Sequence, residues 1–274
     1  MTYVLLAALF GLLEGITEWL PISSTGHLIL LRKFVTFPVR DEFFELFQVV
    51  IQLAAILAVC SVFFTRLNPF SRKKTRRERE STWRLWGMVL IASLPAALLG
   101  LLFDDLLDAY LYRPAVVAAT LILYGVLFIV VEKREKRAPS VGETEEITVR
   151  QALFVGCAQL LALIPGTSRS GATVLGGMLL GLSRTVAAEF SFFLGIPTML
   201  GASVLKVSKF LLEGNDLTRT EWRMLVIASL VSFLVSLAVI RALLDFVRRH
   251  SFSVFGYYRI ALGGAVLATL IWKG

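Results

Sequence analysis

Charge and cysteine are both scarce in this sequence. Charged residues make up 18% of its 274 residues, below the roughly 25% of average soluble domains. Its two cysteines, Cys60 and Cys157, lack metal-like spacing and say little about the redox compartment, so we expect both to be buried as small apolar side chains. Apolar residues instead reach 57%, and the mean hydropathy is +0.75. This composition excludes an ordinary soluble domain and predicts an integral membrane protein.

The apolar residues form six runs that are long enough to cross a bilayer, which requires roughly 20 residues each. The predicted spans are about 43–64, 83–103, 114–131, 186–212, 222–246 and 253–271. Two further apolar stretches, about 3–31 and 151–182, are interrupted near the middle by proline, glycine and hydroxyl residues. Irregular backbone at membrane depth survives only where protein or a wet cavity covers it, so we interpret both stretches as re-entrant hairpins that carry a site. The sequence thus predicts an all-α polytopic membrane protein with six transmembrane helices and two re-entrant helical hairpins.

Basic residues cluster in the connections between the predicted spans. The formal net charge is +8, and the segments 66–84 and 133–150 are rich in Lys and Arg. Membrane topology explains this pattern better than a nucleic-acid partner, which we do not expect, and it places both segments in the cytoplasm. The acidic segment 104–108 then faces the other side, both termini lie outside, the first hairpin opens outward and the second inward.

The two halves of the chain share one order of features within a single membrane domain. Repeat 1 covers about 1–132, a cytoplasmic connection covers 133–149, and repeat 2 covers about 150–274. The motif Gly-Leu-Leu-Glu14 matches Gly-Cys-Ala-Gln159, and after a one-residue gap Pro21-Ile-Ser-Ser-Thr matches Pro165-Gly-Thr-Ser-Arg. A unit of three spans and one hairpin crosses the membrane an odd number of times. Its copy therefore has the opposite orientation, which is the inverted-topology repeat.

The first hairpin carries a dense polar block, Glu14-Gly-Ile-Thr-Glu18-Trp-Leu-Pro21-Ile-Ser23-Ser24-Thr25-Gly-His27. Glu14 and Glu18 are four residues apart, so both carboxylates project from one face of a helix. Pro21 predicts the end of that helix. A serine in the following turn predicts the N-cap of a second helix, whose free backbone N–H groups favour an anion. The block therefore predicts an anion site beside two acids.

The second hairpin carries Pro165-Gly-Thr167-Ser168-Arg169-Ser170-Gly-Ala-Thr173. An arginine in an apolar segment is costly unless it is paired, so Arg169 indicates a functional site. Its planar guanidinium suits phosphate, and the small residues around it let backbone N–H groups approach the same anion. The two hairpins together offer carboxylates, an imidazole, a guanidinium and hydroxyls, a set that suits phosphoryl transfer.

Both motifs, together with the length and span order of the chain, resemble the bacterial undecaprenyl-diphosphate phosphatase family, also called the bacitracin resistance protein family. The resemblance implies an inner-membrane hydrolase that removes the terminal phosphate of undecaprenyl diphosphate on the outer side. It also implies recycling of this lipid carrier for peptidoglycan synthesis, and bacitracin resistance. The expected partners are a prenyl diphosphate lipid and membrane lipids, and a homodimer is left open.

The catalytic residues expected with this resemblance are Glu18, Ser24, His27 and Arg169. Glu18 acts as a base or as a ligand of a divalent cation, with a purely structural pair to Arg169 as the alternative. Ser24 is the favoured nucleophile, although a serine after a helix break is also a typical N-cap. His27 either transfers a proton or attacks itself. Arg169 clamps the diphosphate and stabilises its charge.

A second set of residues is expected to touch the substrate or a metal. The predicted substrate contacts are Glu14, Ser23, Thr25, Ser168, Ser170 and Thr173. Helix capping and packing are the alternatives for the hydroxyl residues, and simple hydrogen bonding is the alternative for Glu14. Glu14 and Glu18 are the predicted ligands of Mg²⁺ or Ca²⁺.

A flippase or transporter of polyisoprenoid phosphates is the second class of function that the sequence supports. Inverted repeats with broken helices are a transporter design, and the same inferred site would then carry lipid between leaflets. The acids, serine, histidine and arginine favour the enzyme.

Overall fold

The computed structural model describes residues 2–111, 113–134 and 139–273, with side chains except at positions 2, 25, 29, 33, 101–111 and 271–273. The α-helices of this part of the chain are α1 (Thr2–Thr17), α2 (Ser24–Phe34), α3 (Asp41–Val62), α4 (Phe64–Leu67), α5 (Arg76–Leu111), α6 (Pro114–Arg134), α7 (Val149–Leu160), α8 (Arg169–Leu179), α9 (Arg184–Leu212), α10 (Arg219–Arg249) and α11 (Ser253–Lys273). Single 3-10 turns occupy Thr144–Glu146 and Leu161–Leu163.

Within the described ranges, six helical segments are long and apolar enough to cross a membrane, which confirms the predicted spans. These segments are Asp41–Val62, Arg76–Gly100, Pro114–Arg134, Arg184–Leu212, Arg219–Arg249 and Ser253–Leu270. Helix α5 continues beyond its apolar part to Leu111, so the acidic stretch 104–108 belongs to this helix. The protein is an all-α, multi-pass membrane protein.

In each of the two interrupted apolar stretches, a pair of helices brings its outer ends close to each other. Tyr3 in α1 lines the same cavity as Pro38 and Arg40, which follow α2. In the second stretch, Nε2 of Gln151 near the start of α7 donates to the carbonyl oxygen of Leu180, just after α8, at 3.3 Å. This geometry fits the predicted re-entrant hairpins.

The two hairpins repeat the same local structure at their breaks. Ser23 has φ 74° and Ser168 has φ 72°, a left-handed conformation that few residues other than glycine adopt. Each serine side chain then caps the following helix, accepting from the N–H of Gly26 at 3.2 Å and of Gly171 at 3.1 Å. The structural match thus equates Ser23 with Ser168, whereas the gapped sequence match equates Ser24 with Ser168.

Each hairpin packs mainly on a helix from the other half of the chain. Helix α1 packs on α10, and α7 packs on α5. Both contacts use a glycine, because a Cβ added to Gly11 would collide with the carbonyl oxygen of Ala228, and one added to Gly156 with that of Ala92. Helices α3 and α9 contact each other, as do α6 and α11. This exchange interlocks the halves and brings the two breaks together.

Ion pairs join the helix ends that flank the basic connections. Nη1 of Arg66 lies 2.6 Å from Glu189, Nη2 of Arg66 lies 3.0 Å from Glu145, and Arg184 lies 2.6 Å from Glu132. Partial burial acts to raise the pKa of the Glu145 carboxyl, but the hydrogen bonds and charge of Arg66 outweigh it and hold this pKa below its ordinary value. The two segments predicted to be cytoplasmic therefore contact each other at one face of the helix bundle.

The expected burial of the two cysteines is wrong. Cys60 is half-buried and Cys157 is exposed. Both lie on apolar helices, whose outer surface faces hydrocarbon in a membrane, so a weakly polar thiol needs no cover from the protein.

Candidate active site

The two helix breaks place Ser24 and Arg169 at the first positions of α2 and α8. Ser23, not Ser24, caps α2, so the alternative in which Ser24 serves only as the N-cap is wrong. The hydroxyl of Ser24 is left for other contacts. Both helices begin at this cluster of polar side chains, and the partial positive charge at their N-termini favours an anion here.

Glu18 connects the two hairpins through its two carboxylate oxygens. Oγ of Ser24 donates to Oε2 at 2.6 Å, and Nη2 of Arg169 donates to Oε1 at 2.9 Å. Glu18 and Ser24 are 5% and 6% exposed, so these contacts lie in a medium where charge-assisted hydrogen bonds are strong. The ion pair with Arg169 is present, as the structural alternative expected. A carboxylate that also accepts from a serine hydroxyl is in addition placed to act as its base.

The guanidinium of Arg169 is held from two sides. Besides its bond to Glu18, Nη1 donates to the carbonyl oxygen of Ser191 in α9 at 2.6 Å. Gly195 lies one helical turn further along α9, and a Cβ there would lie 2.9 Å from the guanidinium carbon. Nε of Arg169 is buried and has no hydrogen-bond partner among the described residues. Arg169 is therefore fixed in place, and its Nε–H is available as a donor.

His27 lies in the first turn of α2 and makes different contacts from those expected of it. Its Nδ1 lies 2.7 Å from the carbonyl oxygen of Ser23, and its Nε2 lies 2.8 Å from Oη of Tyr258. The rings of His27 and Tyr258 are nearly parallel, at 6°, with centroids 5.7 Å apart. Both ring nitrogens are therefore engaged by protein groups other than Ser24 and Glu18.

Glu14 is fully buried, and neither of its carboxylate oxygens has a hydrogen-bond partner among the described residues. An acid in this position fits a cation or a proton as its missing partner. The described part of the chain brings together no group of three His, Cys, Asp or Glu side chains that could hold a metal ion. Mg²⁺ is commonly bound by one or two carboxylates plus the phosphates of the substrate, and Glu14 with Glu18 fits that smaller donor set.

The remaining hydroxyl residues of the second hairpin bond mainly to the protein. Oγ of Ser170 donates to the carbonyl oxygen of Glu18 at 3.2 Å and lies 3.1 Å from Oγ of Ser168. Oγ1 of Thr173 lies 2.7 Å from Oγ of Ser191. Capping and packing, the alternatives expected for these residues, are therefore both present. The side chain of Thr25 lies outside the described residues.

Arg259 in α11 belongs to this cluster although sequence reasoning missed it. It is fully buried, and Nη1 donates to the carbonyl oxygen of Pro21 at 2.9 Å. Nη2 donates to the carbonyl oxygens of Gly166 at 2.8 Å and Thr167 at 2.9 Å. One side chain thus holds the turns of both hairpins. The signal was the one used for Arg169, a single arginine inside a predicted span.

Together the fold and the site define a multi-pass membrane protein with a buried acid, serine and arginine site that suits an anion. The chain is similar to proteins of known family. The model of the family described as bacitracin resistance protein BacA matches residues 7–265. The chain belongs to the bacitracin resistance protein BacA family.

The relatives that the chain matches include proteins named undecaprenyl-diphosphatase. The one from Enterococcus faecalis is 53% identical over 262 residues, which cover 95% of each chain. The one from Streptococcus mutans is 55% identical over 262 residues, which cover 95% of this chain and 93% of the relative. The one from Streptococcus thermophilus is 51% identical over 265 residues, which cover 96% of this chain and 92% of the relative.

Substitution of Arg259 by methionine should destabilise the protein, because it leaves the turn carbonyl oxygens without their buried donors. We expect a loss of about 3 kcal/mol, the cost of two or three unsatisfied buried groups. Arg259→Gln keeps an amide donor and should fall between wild type and Arg259→Met. Thermal unfolding in detergent measures this order, with Arg241→Met at an exposed position of α10 as the control. Equal melting temperatures for Arg259→Met and wild type would show that other contacts hold the turns.

Proposed function

We propose that this chain removes the terminal phosphate from undecaprenyl diphosphate, giving undecaprenyl phosphate and inorganic phosphate. The observation that carries the proposal is the pair of buried contacts in which Glu18 joins the hydroxyl of Ser24 to the guanidinium of Arg169. A nucleophile, its base and a cation within hydrogen-bond distance are the groups that phosphoryl transfer through a serine requires. The names of the relatives state the same activity for those proteins.

Ser24 acts as the nucleophile in the first step. Its Oγ bonds to the terminal phosphorus as the bond from that phosphorus to the bridging oxygen breaks, and its proton passes to Oε2 of Glu18, 2.6 Å away. Undecaprenyl phosphate leaves with the bridging oxygen. The terminal phosphate is then carried on Ser24, and Glu18 holds the proton.

Water completes the reaction in the second step. Its oxygen bonds to phosphorus as the bond to Oγ of Ser24 breaks, and the proton on Glu18 returns to Ser24. The water proton passes to Nε2 of His27, where the water replaces the hydroxyl of Tyr258 as the hydrogen-bond donor. Nε2 is the basic nitrogen because Nδ1–H donates to the carbonyl oxygen of Ser23. Inorganic phosphate leaves, and the imidazolium returns its proton to solvent. Ser24 attacks rather than His27 because Ser24 has a carboxylate base in contact.

Positive charge at the site favours the diphosphate and its transition state. Arg169 has an unpaired Nε–H donor that can bond to the phosphate. A phosphate oxygen that displaces Glu18 from Nη2 accepts a second hydrogen bond from the same guanidinium. Arg259 makes no ion pair with a carboxylate among the described residues, so its charge is uncompensated and adds to the field at both turns.

Glu14 and Glu18 are the residues that would hold a divalent cation, Mg²⁺ or Ca²⁺. The two unpaired oxygens of Glu14 carry this part of the proposal. A bound divalent cation would supply Lewis-acid stabilisation of charge on the diphosphate. Glu14 would in that case be a ligand, and Glu18 would divide its oxygens between the ion and Ser24.

The setting proposed for this activity is the bacterial inner membrane. The contacts of Arg66 with Glu145 and Glu189 gather basic connections at one face, which the positive-inside rule assigns to the cytoplasm. The first hairpin then opens to the outer side, with both termini outside, and the site takes its substrate there. The product returns to use as the lipid carrier for cell-wall synthesis, and this recycling underlies resistance to bacitracin.

A flippase that shares the fold is distinguished by turnover in detergent, where lipid has no second leaflet to reach. The phosphatase releases inorganic phosphate from a prenyl diphosphate under these conditions. A flippase moves labelled lipid between the leaflets of proteoliposomes and releases none. The buried contact of Ser24 with Glu18 favours the phosphatase, since lipid transfer needs no nucleophile.

Substitution at the three joined residues should remove most of the phosphate release. We expect Ser24→Ala, Glu18→Gln and Arg169→Gln each to lower kcat by about a hundredfold or more, because each removes the nucleophile, its base or the stabilising charge. The measurement is phosphate release by purified protein in detergent, with Ser61→Ala, an exposed serine in α3, as the control. Full activity of the folded Arg169→Gln variant would overturn the site.

Alanine at Gly195 should displace the guanidinium of Arg169 without removing it. The added Cβ would lie 2.9 Å from the guanidinium, and loss of alignment with the phosphate lowers kcat by about tenfold or more. Gly201 lies in the same helix and is the matched control, because a Cβ added there would have no neighbouring atom within 4 Å. Phosphate release and the melting temperature are measured for both. Equal kcat values for Gly195→Ala and Gly201→Ala would contradict a role for the position of Arg169.

A further inference from the structure

Two consecutive residues of α11 reach the first hairpin, which lies more than two hundred positions earlier in the chain. Arg259 donates to the carbonyl oxygen of Pro21, and the hydroxyl of Tyr258 lies 2.8 Å from Nε2 of His27. Arg259 is fully buried, whereas Tyr258 is 45% exposed. Helix α11 therefore holds the turn with Arg259 and contacts the imidazole of His27 with the preceding residue, Tyr258.

The positions of the protons on His27 follow from its hydrogen-bond partners, the carbonyl oxygen of Ser23 and the hydroxyl of Tyr258. The carbonyl oxygen of Ser23 only accepts, so Nδ1 of His27, 2.7 Å away, carries a proton. The neutral imidazole then has no proton on Nε2, and this nitrogen accepts from the hydroxyl of Tyr258. The parallel stacking of the two rings, at 6°, fixes the plane of the imidazole as well. The carbonyl oxygen of Ser23 thus sets which nitrogen is basic, and Tyr258 fixes the direction in which that nitrogen points.

We propose that Tyr258 is a positioning residue for His27. It holds Nε2 of the imidazole directed to one point, while the carbonyl oxygen of Ser23 keeps the Nδ1–H tautomer, and it acts on the reaction only through Nε2. The proposal rests on the proposed function for its kinetic consequence, because His27 is assigned there as the base of the second step. The geometry alone carries the tautomer and the contact between the two rings.

The contact is tested first by spectroscopy, without substrate. The chain has two histidines, so His250→Asn, at an exposed position after α10, leaves His27 alone in protein labelled with ¹⁵N-histidine. We expect one protonated and one unprotonated ring nitrogen, with Nδ1 bearing the proton. Tyr258→Phe should shift the Nε2 resonance towards that of a free imidazole, while Tyr257→Phe, the adjacent exposed tyrosine, leaves it in place. An Nε2 resonance that is unchanged in Tyr258→Phe would overturn the proposal.

A double-mutant cycle tests whether Tyr258 acts through His27. In wild-type background, Tyr258→Phe should lower kcat by about tenfold with KM unchanged, the effect of one lost hydrogen bond on a catalytic group rather than on substrate. In a His27→Ala background the same substitution should have no further effect. Equal losses in the two backgrounds would overturn the proposal, since Tyr258 would then act on the fold or the substrate directly.

The spectroscopic and kinetic experiments distinguish a failure of this proposal from a failure of the proposed function. If the wild-type protein releases no phosphate from prenyl diphosphates, the proposed function fails, while the ¹⁵N resonances still decide whether Tyr258 is hydrogen-bonded to Nε2 of His27. If phosphate release is normal and the Nε2 resonance is unchanged in Tyr258→Phe, the proposed function is supported and the proposed role of Tyr258 is wrong.

Discussion

The carboxylate of Glu18 is the interaction on which the site depends. Glu18 lies between the end of α1 and Pro21. It accepts hydrogen bonds from Ser24 in its own hairpin and from Arg169 in the other. A buried carboxylate is stable only with such partners. The contacts with Ser24 and Arg169 therefore offset the free-energy cost of burying Glu18, and the same contacts form the proposed site. Removal of any one of the three leaves a buried charge or donor without its partner. The structural pairing of Glu18 with Arg169 and the catalytic roles proposed for them are therefore compatible, since one geometry allows both.

The site exists only where the two halves of the chain exchange helices. Helix α1 packs on α10 and α7 packs on α5, and Arg259 of α11 then holds the carbonyl oxygens of both turns. The cluster takes its groups from both hairpins, because the first supplies Glu18 and the hydroxyl of Ser24 and the second supplies the guanidinium of Arg169. Ser23 and Ser168 have the same left-handed backbone conformation at the two breaks, whereas the residue after the cap differs, being Ser24 in the first hairpin and Arg169 in the second.

The length of the apolar runs was sufficient to predict the spans, since each span must cross the same thickness of hydrocarbon. The polar motifs at the two breaks also predicted the acids, Ser24 and Arg169 as one cluster. The contacts of His27 were not predictable, because the hydroxyl of Tyr258 comes from a helix more than two hundred positions away and an exposed tyrosine carries no signal. The cap was assigned to a serine without deciding which one, since only backbone geometry separates Ser23 from Ser24.

Ser24 is the group that receives the phosphate in the proposed mechanism. Purified protein mixed with a prenyl diphosphate labelled in its terminal phosphate and quenched in acid within milliseconds should carry label as phosphoserine, which survives acid. Mass spectrometry of the digested protein should place it on Ser24, and Ser24→Ala should carry none. Label on His27, recovered only when the quench avoids acid, would contradict the assignment of the nucleophile, as would turnover by Ser24→Ala at the wild-type rate.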